Sequence, residues 1–196
     1  TCAPDMLEGP KGFGAAMSKA PDWAQATDGL GSRYNITVMT FKNHGCCGHA
    51  FPAIDGALHL KNEHGIVADA IRHIHIGGYR PTVEVAGIKR ATTPFEGKFS
   101  TPYLVASALV HGSVRLDAYD APKLADARVQ ALSQRVALEI DEECAAGYPG
   151  RRSAKVTIEM ADGRKLYRYQ PTRKGDPDDP LTDRELSDKF TELASP

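Results

Sequence analysis

The apolar residues of the chain recur with two different periods, which predict a mixture of strands and helices. Alternation of apolar and polar positions, the pattern of a strand, occurs in three segments: 33–42, 70–79 and 136–140. Apolar residues spaced three to four apart, the pattern of a helix, also occupy three segments: 52–65, 102–110 and 122–133. The second of these helices is apolar nearly all round, so we expect it to be buried.

Two local signals add a hairpin and a final helix. Asp162-Gly163 lies between the alternating runs 154–160 and 165–169, which predicts a pair of antiparallel strands. Thr182 and Glu185 form a capping box before an amphipathic helix. Residues 4–31 are rich in Gly, Pro and Ala and predict only two brief helices or turns. The sum predicts an α+β fold, a two-layer sandwich of a mixed, mainly antiparallel sheet with helices packed on one face.

Composition narrows the class of protein. The chain has 196 residues, 41% of them hydrophobic, and its 24 Lys and Arg nearly balance 25 Asp and Glu. This balance gives no bulk attraction to nucleic acid or to an anionic membrane. The longest apolar runs are far shorter than the roughly 20 residues of a spanning helix, and the first thirty residues lack a signal-peptide pattern. We therefore expect a soluble, cytoplasmic protein.

The cysteines do not form a plausible disulfide framework. They lie at positions 2, 46, 47 and 144, and a vicinal pair beside two lone residues suits reduced thiols better than bridges. The chain begins with Thr1 rather than Met, and its last helical pattern stops abruptly at Pro196. We therefore expect a fragment or a processed piece of a longer protein.

The densest polar chemistry lies in the loop Lys42–His49, between a predicted strand and a predicted helix. Three interpretations are open. A zinc site would need a second pair of ligands with suitable spacing, and no such pair follows in the sequence. A redox loop would need two residues between its cysteines, whereas Cys46 and Cys47 are adjacent. In the third interpretation the glycines form the turn while Cys46 and Cys47 pack as small apolar side chains.

The other candidate residues also have two interpretations each. His73 and His75 share one face of a predicted strand and could chelate a metal, although such a pair more often marks a half-exposed sheet face. The hydroxyl of Tyr103 could donate to a bound carboxylate or a developing oxyanion, or it could be satisfied within the core.

Four motifs resemble those of the MmgE/PrpD family and occur in the same order. They are DMLEGP at 5–10, FKNHGCCGHAFPAID at 41–55, PFEGKFSTPY at 94–103 and KGDPDDPL at 174–181. The family contains 2-methylcitrate dehydratases, cis-aconitate decarboxylases and iminodisuccinate epimerases. The resemblance implies action on small polycarboxylates without a metal or an organic cofactor.

The resemblance also implies how the chain is organised. Family members usually combine a large all-helical domain with a smaller α+β lid domain, and this chain is similar to the lid. It implies a lead-in segment over 1–32, a lid domain over 33–175, and a connector with a return helix over 176–196. The expected partners are a small polycarboxylate substrate, an all-helical domain of the same family and a second copy in a homodimer.

In the family the active site lies in the cleft between the two domains, and the resemblance implies which residues the lid contributes. The expected catalytic residues are His49, Tyr103 and Cys47, and the expected substrate-binding residues are Lys42, Cys46 and Lys98. Cys47 stands where the decarboxylase branch has an active-site His, and Phe51 replaces a His of typical methylcitrate dehydratases. No metal ligand is expected.

The resemblance implies chemistry at a carbon next to a carboxylate. Lys42 would neutralise a substrate carboxylate, Tyr103 would donate to the carbanion-like intermediate, and His49 would deliver a proton. The same intermediate leads to dehydration, decarboxylation or inversion. The leading hypothesis is the lid part of such a lyase or isomerase, 2-methylcitrate dehydratase-like and thus linked to propionate metabolism, and inactive alone. The alternative is a stand-alone, non-catalytic ligand-binding or interaction module with the lid fold.

Overall fold

The computed structural model describes residues 4–195 and divides the chain into two compact units, Thr1–Met39 and Thr40–Pro196. Cys2, expected to be a reduced thiol, lies outside the described residues. The first unit contains a short helix, α1 (Phe13–Met17), and two 3₁₀ turns, Trp23–Thr27 and Asn35–Val38. The prediction of brief helices or turns over 4–31 is confirmed.

The strand predicted over residues 33–42 is wrong. A 3₁₀ turn begins at Asn35, and the apolar side chains of Tyr34, Ile36 and Val38 are 60%, 61% and 67% exposed. A segment with alternating apolar and polar residues forms a strand only where it can pair with another strand. In the described structure no strand pairs with residues 33–42. The hydroxyl of Thr37 instead donates to the Tyr34 carbonyl at 2.7 Å, which stabilises a local turn.

The second unit is built on a four-stranded sheet. Its strands are β1 (Ile71–Gly78), β2 (Val136–Ile140), β3 (Ala154–Met160) and β4 (Lys165–Gln170), arranged in the order β2-β1-β3-β4. β1 pairs parallel to β2, whereas the β1–β3 and β3–β4 pairs are antiparallel. The predicted hairpin is confirmed, and Gly163 in its turn has a φ of +89°, which glycine adopts without strain.

The described part of this unit also contains eight α-helices. They are α2 (Phe51–His64), α3 (Arg80–Glu84), α4 (Pro94–Lys98), α5 (Thr101–His111), α6 (Ala121–Leu124), α7 (Ala127–Ser133), α8 (Glu142–Gly147) and α9 (Asp183–Ala194). None of the helices in the described residues has both the length and the apolar character that crossing a bilayer requires.

The core lies between the sheet and the helices α2 and α5, which pack against each other. Residues 101–109 of α5 are all buried, as its apolar pattern predicts. α2 contributes Phe51, Ile54 and Leu60 to the same core, which also includes Ile74 and Ile158 of the sheet. The predicted α+β sandwich with a mixed, mainly antiparallel sheet is confirmed.

The single helix predicted over 122–133 is two helices. α6 ends at Leu124 and α7 begins at Ala127. The reason is local, because the carboxylate of Asp126 accepts a hydrogen bond of 2.9 Å from the Arg128 amide and caps α7. By contrast, the capping box predicted at Thr182 and Glu185 forms, and α9 begins immediately after Thr182.

Candidate active site

The loop that joins Lys42 to the first turn of α2 is held by hydrogen bonds from several elements. The Cys47 amide donates to the Lys98 carbonyl at 2.9 Å, and the Gly45 amide donates to the Val114 carbonyl at 3.2 Å. The hydroxyl of Thr82 donates to the His49 carbonyl at 3.1 Å. The loop is therefore fixed between α3, α4 and the segment that follows α5, as a preorganised site requires.

A close backbone contact brings the segment after β4 against the start of this loop. The Phe41 amide donates to the Gly175 carbonyl at 2.9 Å. Gly175 has a φ of +98°, and a Cβ at this position would lie 1.9 Å from the Phe41 carbonyl oxygen. Only glycine fits there, and it allows Arg173 and Lys174 to approach the loop.

A cavity of about 540 Å³ opens on this loop. Its lining consists of Lys42, His44, Gly45, Cys46, Cys47, Gly48, His49, Lys98, Phe99, Arg152, Arg173 and Lys189. The residues come from the loop, the end of α4, the segment before β3, the segment after β4, and α9. The fold therefore gathers parts of the chain that are far apart in sequence.

The cavity is strongly cationic. Five of its lining side chains are Lys or Arg, and none of the lining residues that the structure describes is Asp or Glu. Only Arg173 among the five has a carboxylate partner within residues 4–195: it forms a bidentate pair with Asp176 at 2.6 and 2.9 Å. This pairing lowers the pKa of Asp176 against the opposing effect of burial.

The unpaired cations are available to a ligand. No carboxylate within the described part of the chain pairs with Lys42, Lys98 or Arg152. The Nε atom of Arg152 is buried and has no hydrogen-bond partner in the described part of the chain. A buried donor without a partner costs free energy, which a ligand that accepts its hydrogen bond would recover. Lys98 lies 5.3 Å from the centroid of the Tyr119 ring, a contact that stabilises its charge without neutralising it.

His49 lines the cavity, and its surroundings favour the neutral form of the imidazole. Its Nδ1 is 2.9 Å from the hydroxyl of Tyr79, which is buried and stacks on Tyr148 with ring centroids 4.7 Å apart. Burial, together with the positive charges of Arg152 and Arg173, lowers the pKa of His49. Burial also raises the pKa of Tyr79 to about 12, so this hydroxyl stays protonated. His49 Nε2 is therefore the nitrogen left for a ligand.

The two loop cysteines differ in accessibility. Both are free thiols, but Cys46 is buried and Cys47 only half-buried. Burial strongly raises the pKa of the Cys46 thiol, so Cys46 is an apolar wall of the cavity rather than a nucleophile. Cys47, predicted to be catalytic, also lines the cavity.

Tyr103 does not line the cavity with the other predicted residues. It is 1% exposed, and its hydroxyl donates to the Ala118 carbonyl within the core. Burial raises its pKa as well. The structure thus brings Lys42, Cys46, Cys47, His49 and Lys98 together at one cavity and places Tyr103 beneath them in the core.

No group of three or more His, Cys, Asp or Glu residues between positions 4 and 195 is arranged to hold a metal ion. His73 and His75, which could have chelated a metal, lie on the exposed face of β1 with ring centroids 6.5 Å apart. Their one carboxylate contact in the described structure joins His75 to Glu159 at 3.8 Å.

Four ionisable residues at the cavity were missed by the sequence reasoning: His44, Arg152, Arg173 and Lys189. His44 belongs to the motif on which the family resemblance rests. Asp55, 11 positions later in the same motif, lies at the start of α2 and contacts His44, so this His–Asp pair is the sequence signal that could have identified His44. The other three reach the cavity only through tertiary folding.

Comparison with known proteins agrees with this architecture. A cis-aconitate decarboxylase-like protein of Aspergillus oryzae, oryM, is 27% identical over 180 residues, which cover 87% of this chain and 37% of that protein. The chain thus spans little more than a third of the length of that relative. The family model of the MmgE/PrpD C-terminal domain matches residues 44–196, which include most of the cavity and the whole sheet. The chain belongs to the MmgE/PrpD family.

Proposed function

We propose that the cavity binds a small di- or tricarboxylate and that the protein is part of a cofactor-independent lyase or isomerase acting next to a substrate carboxylate. The observation that carries the proposal is the charge of the cavity: five cations and, among the described lining residues, no acid. A ligand with two or three carboxylates would neutralise the side chains of Lys42, Lys98 and Arg152, which lack carboxylate partners in the described structure.

The same cations support chemistry as well as binding. Removing a proton from the carbon next to a carboxylate places a second negative charge on that carboxylate, and fixed positive charges lower the energy of this intermediate. A neutral imidazole within reach can accept or donate the proton. His49 is such an imidazole, since burial and Arg152 lower its pKa.

The family membership sets the range of reactions. The name of the A. oryzae relative points to decarboxylation, whereas a 2-methylcitrate dehydratase-like reaction would expel water from the same type of intermediate. Because the chain spans only 37% of that relative, we propose that an all-helical domain supplies the remaining side of the site. The whole protein would then close the cavity over its substrate.

Calorimetric titration of the purified chain tests the binding step. Citrate and cis-aconitate should bind, and propionate, with one carboxylate, should bind at least about tenfold more weakly. Arg152→Gln should weaken citrate binding. Arg164→Gln should not, because Arg164 is exposed beside the hairpin and pairs with Asp162. Equal affinity for citrate and propionate, or equal effects of the two substitutions, would contradict the proposal.

Turnover tests the catalytic step. The full-length gene product should consume cis-aconitate or 2-methylcitrate, and the 196-residue chain alone should not, because it would lack the opposite wall of the site. Enzymatic turnover by the chain alone would show that all the catalytic groups lie within it.

A further inference from the structure

A buried pair of a histidine and a carboxylate borders the cavity. His44 Nε2 lies 2.8 Å from Asp55 Oδ1, and the two side chains are only 4% and 11% exposed. His44 lines the cavity itself, whereas Asp55 approaches from the first turns of α2. The chemistry proposed above makes no use of either residue.

Two further contacts fix the geometry of this pair. The second oxygen of Asp55, Oδ2, accepts a hydrogen bond of 2.9 Å from the Lys174 amide, so both carboxylate oxygens are engaged. The ring of Phe51 meets the His44 ring edge-on, with centroids 5.1 Å apart. The imidazole is therefore held from two sides, and rotation of its ring would break a charge-assisted hydrogen bond.

The carboxylate decides which nitrogen of His44 can react. A carboxylate only accepts hydrogen bonds, so it selects the tautomer that carries the proton on Nε2. Nδ1 then holds the lone pair, and it has no hydrogen-bond partner in the described part of the chain. His44 lines the same cavity as Lys42 and Lys98, so the lone pair of Nδ1 can contact a carboxylate substrate that binds there.

We infer that His44 is a catalytic proton-transfer residue of this cavity and that Asp55 is its positioning residue. The inference rests on the proposed polycarboxylate chemistry. In the step, Nδ1 of His44 takes the proton from the carbon next to a substrate carboxylate. The electron pair of the broken C–H bond moves into that carboxylate, which becomes a dianion facing the cavity cations. The proton later returns to the substrate carbon or leaves with a departing hydroxide as water.

The two histidines of the cavity differ in their neighbours. Burial, Arg152 and Arg173 lower the pKa of His49. His44 instead contacts the carboxylate of Asp55 through Nε2 at 2.8 Å, an arrangement that orients the imidazole in a catalytic dyad. His44 therefore suits the role of the group that takes a proton from the substrate.

Nitrogen-15 NMR of the histidine rings tests the contact without any substitution. In the purified chain, His44 should show a protonated Nε2 and an unprotonated Nδ1. Saturating citrate should shift the Nδ1 signal of His44 and the Nε signal of Arg152, while His59, exposed on α2 and paired with Glu63, should not respond. If Arg152 responds and His44 does not, the inference is wrong but the proposed function stands. If neither responds, the proposed function itself fails.

Steady-state kinetics of the full-length gene product with 2-methylcitrate, which has both a C–H next to a carboxylate and a hydroxyl that can leave, tests the role. His44→Gln should lower kcat about a hundredfold or more, with little change in KM. Asp55→Asn should lower kcat less and should change the tautomer signals of His44. His59→Gln is the matched histidine control; it lies on α2, the helix of Asp55, and should leave kcat unchanged. A His44→Gln enzyme that keeps most of its kcat overturns the inference, whereas absence of turnover in the unsubstituted protein contradicts the proposed function.

Discussion

Lys189 Nζ donates a hydrogen bond of 2.6 Å to the backbone carbonyl of Lys42, although 147 positions separate the two residues. This bond attaches α9 to the first residue of the cavity loop. A second contact, the ion pair of 2.9 Å between Arg115 and Glu192, attaches the same helix to the segment that follows α5. α9 therefore forms one wall of the cavity and adds the positive charge of Lys189 to it.

Replacing Lys189 by Met should weaken citrate binding about tenfold, because one cation and one anchor of the wall are lost together. The matched control is Arg184→Met, which removes a charge from the same helix at a side chain that is 91% exposed. Calorimetric titration at low salt compares the two variants. An equal effect of both would mean that only the overall charge of α9 matters.

Acidification should destabilise the fold partly through His49. Its pKa lies below the ordinary value of 6.5, so the unfolded state binds more protons than the folded state as the pH falls below about 6.5. The free energy of unfolding should therefore decrease in that range. His49→Gln should reduce the decrease, which urea denaturation at about pH 7.5 and about pH 5.5 measures.

A second histidine, His111, should also contribute to the pH dependence of the free energy of unfolding. Burial also lowers the pKa of His111, so part of the decrease should persist in the His49→Gln variant. A His49→Gln variant with the full pH dependence of the unsubstituted chain would contradict the burial and charge argument.

The fold was predictable from local signals, whereas the site was predictable only in part. The Asp162-Gly163 turn and the Thr182 capping box act through neighbouring residues, so sequence alone reveals them. The alternation over 33–42 failed as a strand signal because a strand also needs a partner, which sequence spacing does not report. The motif revealed Lys42 and His49, but Arg152 reaches the cavity through the packing of β3, which no local pattern records.

Tyr103 shows a different limit. A helix that is apolar all round is buried on every side, and this pattern does not say which residue faces the loop. The structure places the Tyr103 hydroxyl on the Ala118 carbonyl instead. The burial of α5 was predicted correctly, but Tyr103 is buried with it and does not reach the cavity.

Tyr103→Phe should consequently affect stability rather than ligand binding. The substitution removes a buried hydrogen bond and leaves the Ala118 carbonyl without that donor, which should cost about 1–3 kcal/mol of the free energy of unfolding. Urea denaturation measures this loss, and titration with citrate should give an unchanged affinity. A stable Tyr103→Phe chain with weakened citrate binding would mean that the hydroxyl reaches the ligand.

The loop thiols should report occupancy of the cavity. Cys47 is half-buried at the cavity, whereas Cys46 is buried with a strongly raised pKa and Cys144 is buried with a raised pKa. Because the thiolate is the reactive form, iodoacetamide should modify Cys47 faster than either buried cysteine. Peptide mass spectrometry resolves the rate at each site. Citrate should slow modification of Cys47 and leave Cys144, which does not line the cavity, unaffected. Equal slowing at both cysteines would indicate a general stabilisation of the fold, and no slowing at Cys47 would mean that citrate binds elsewhere.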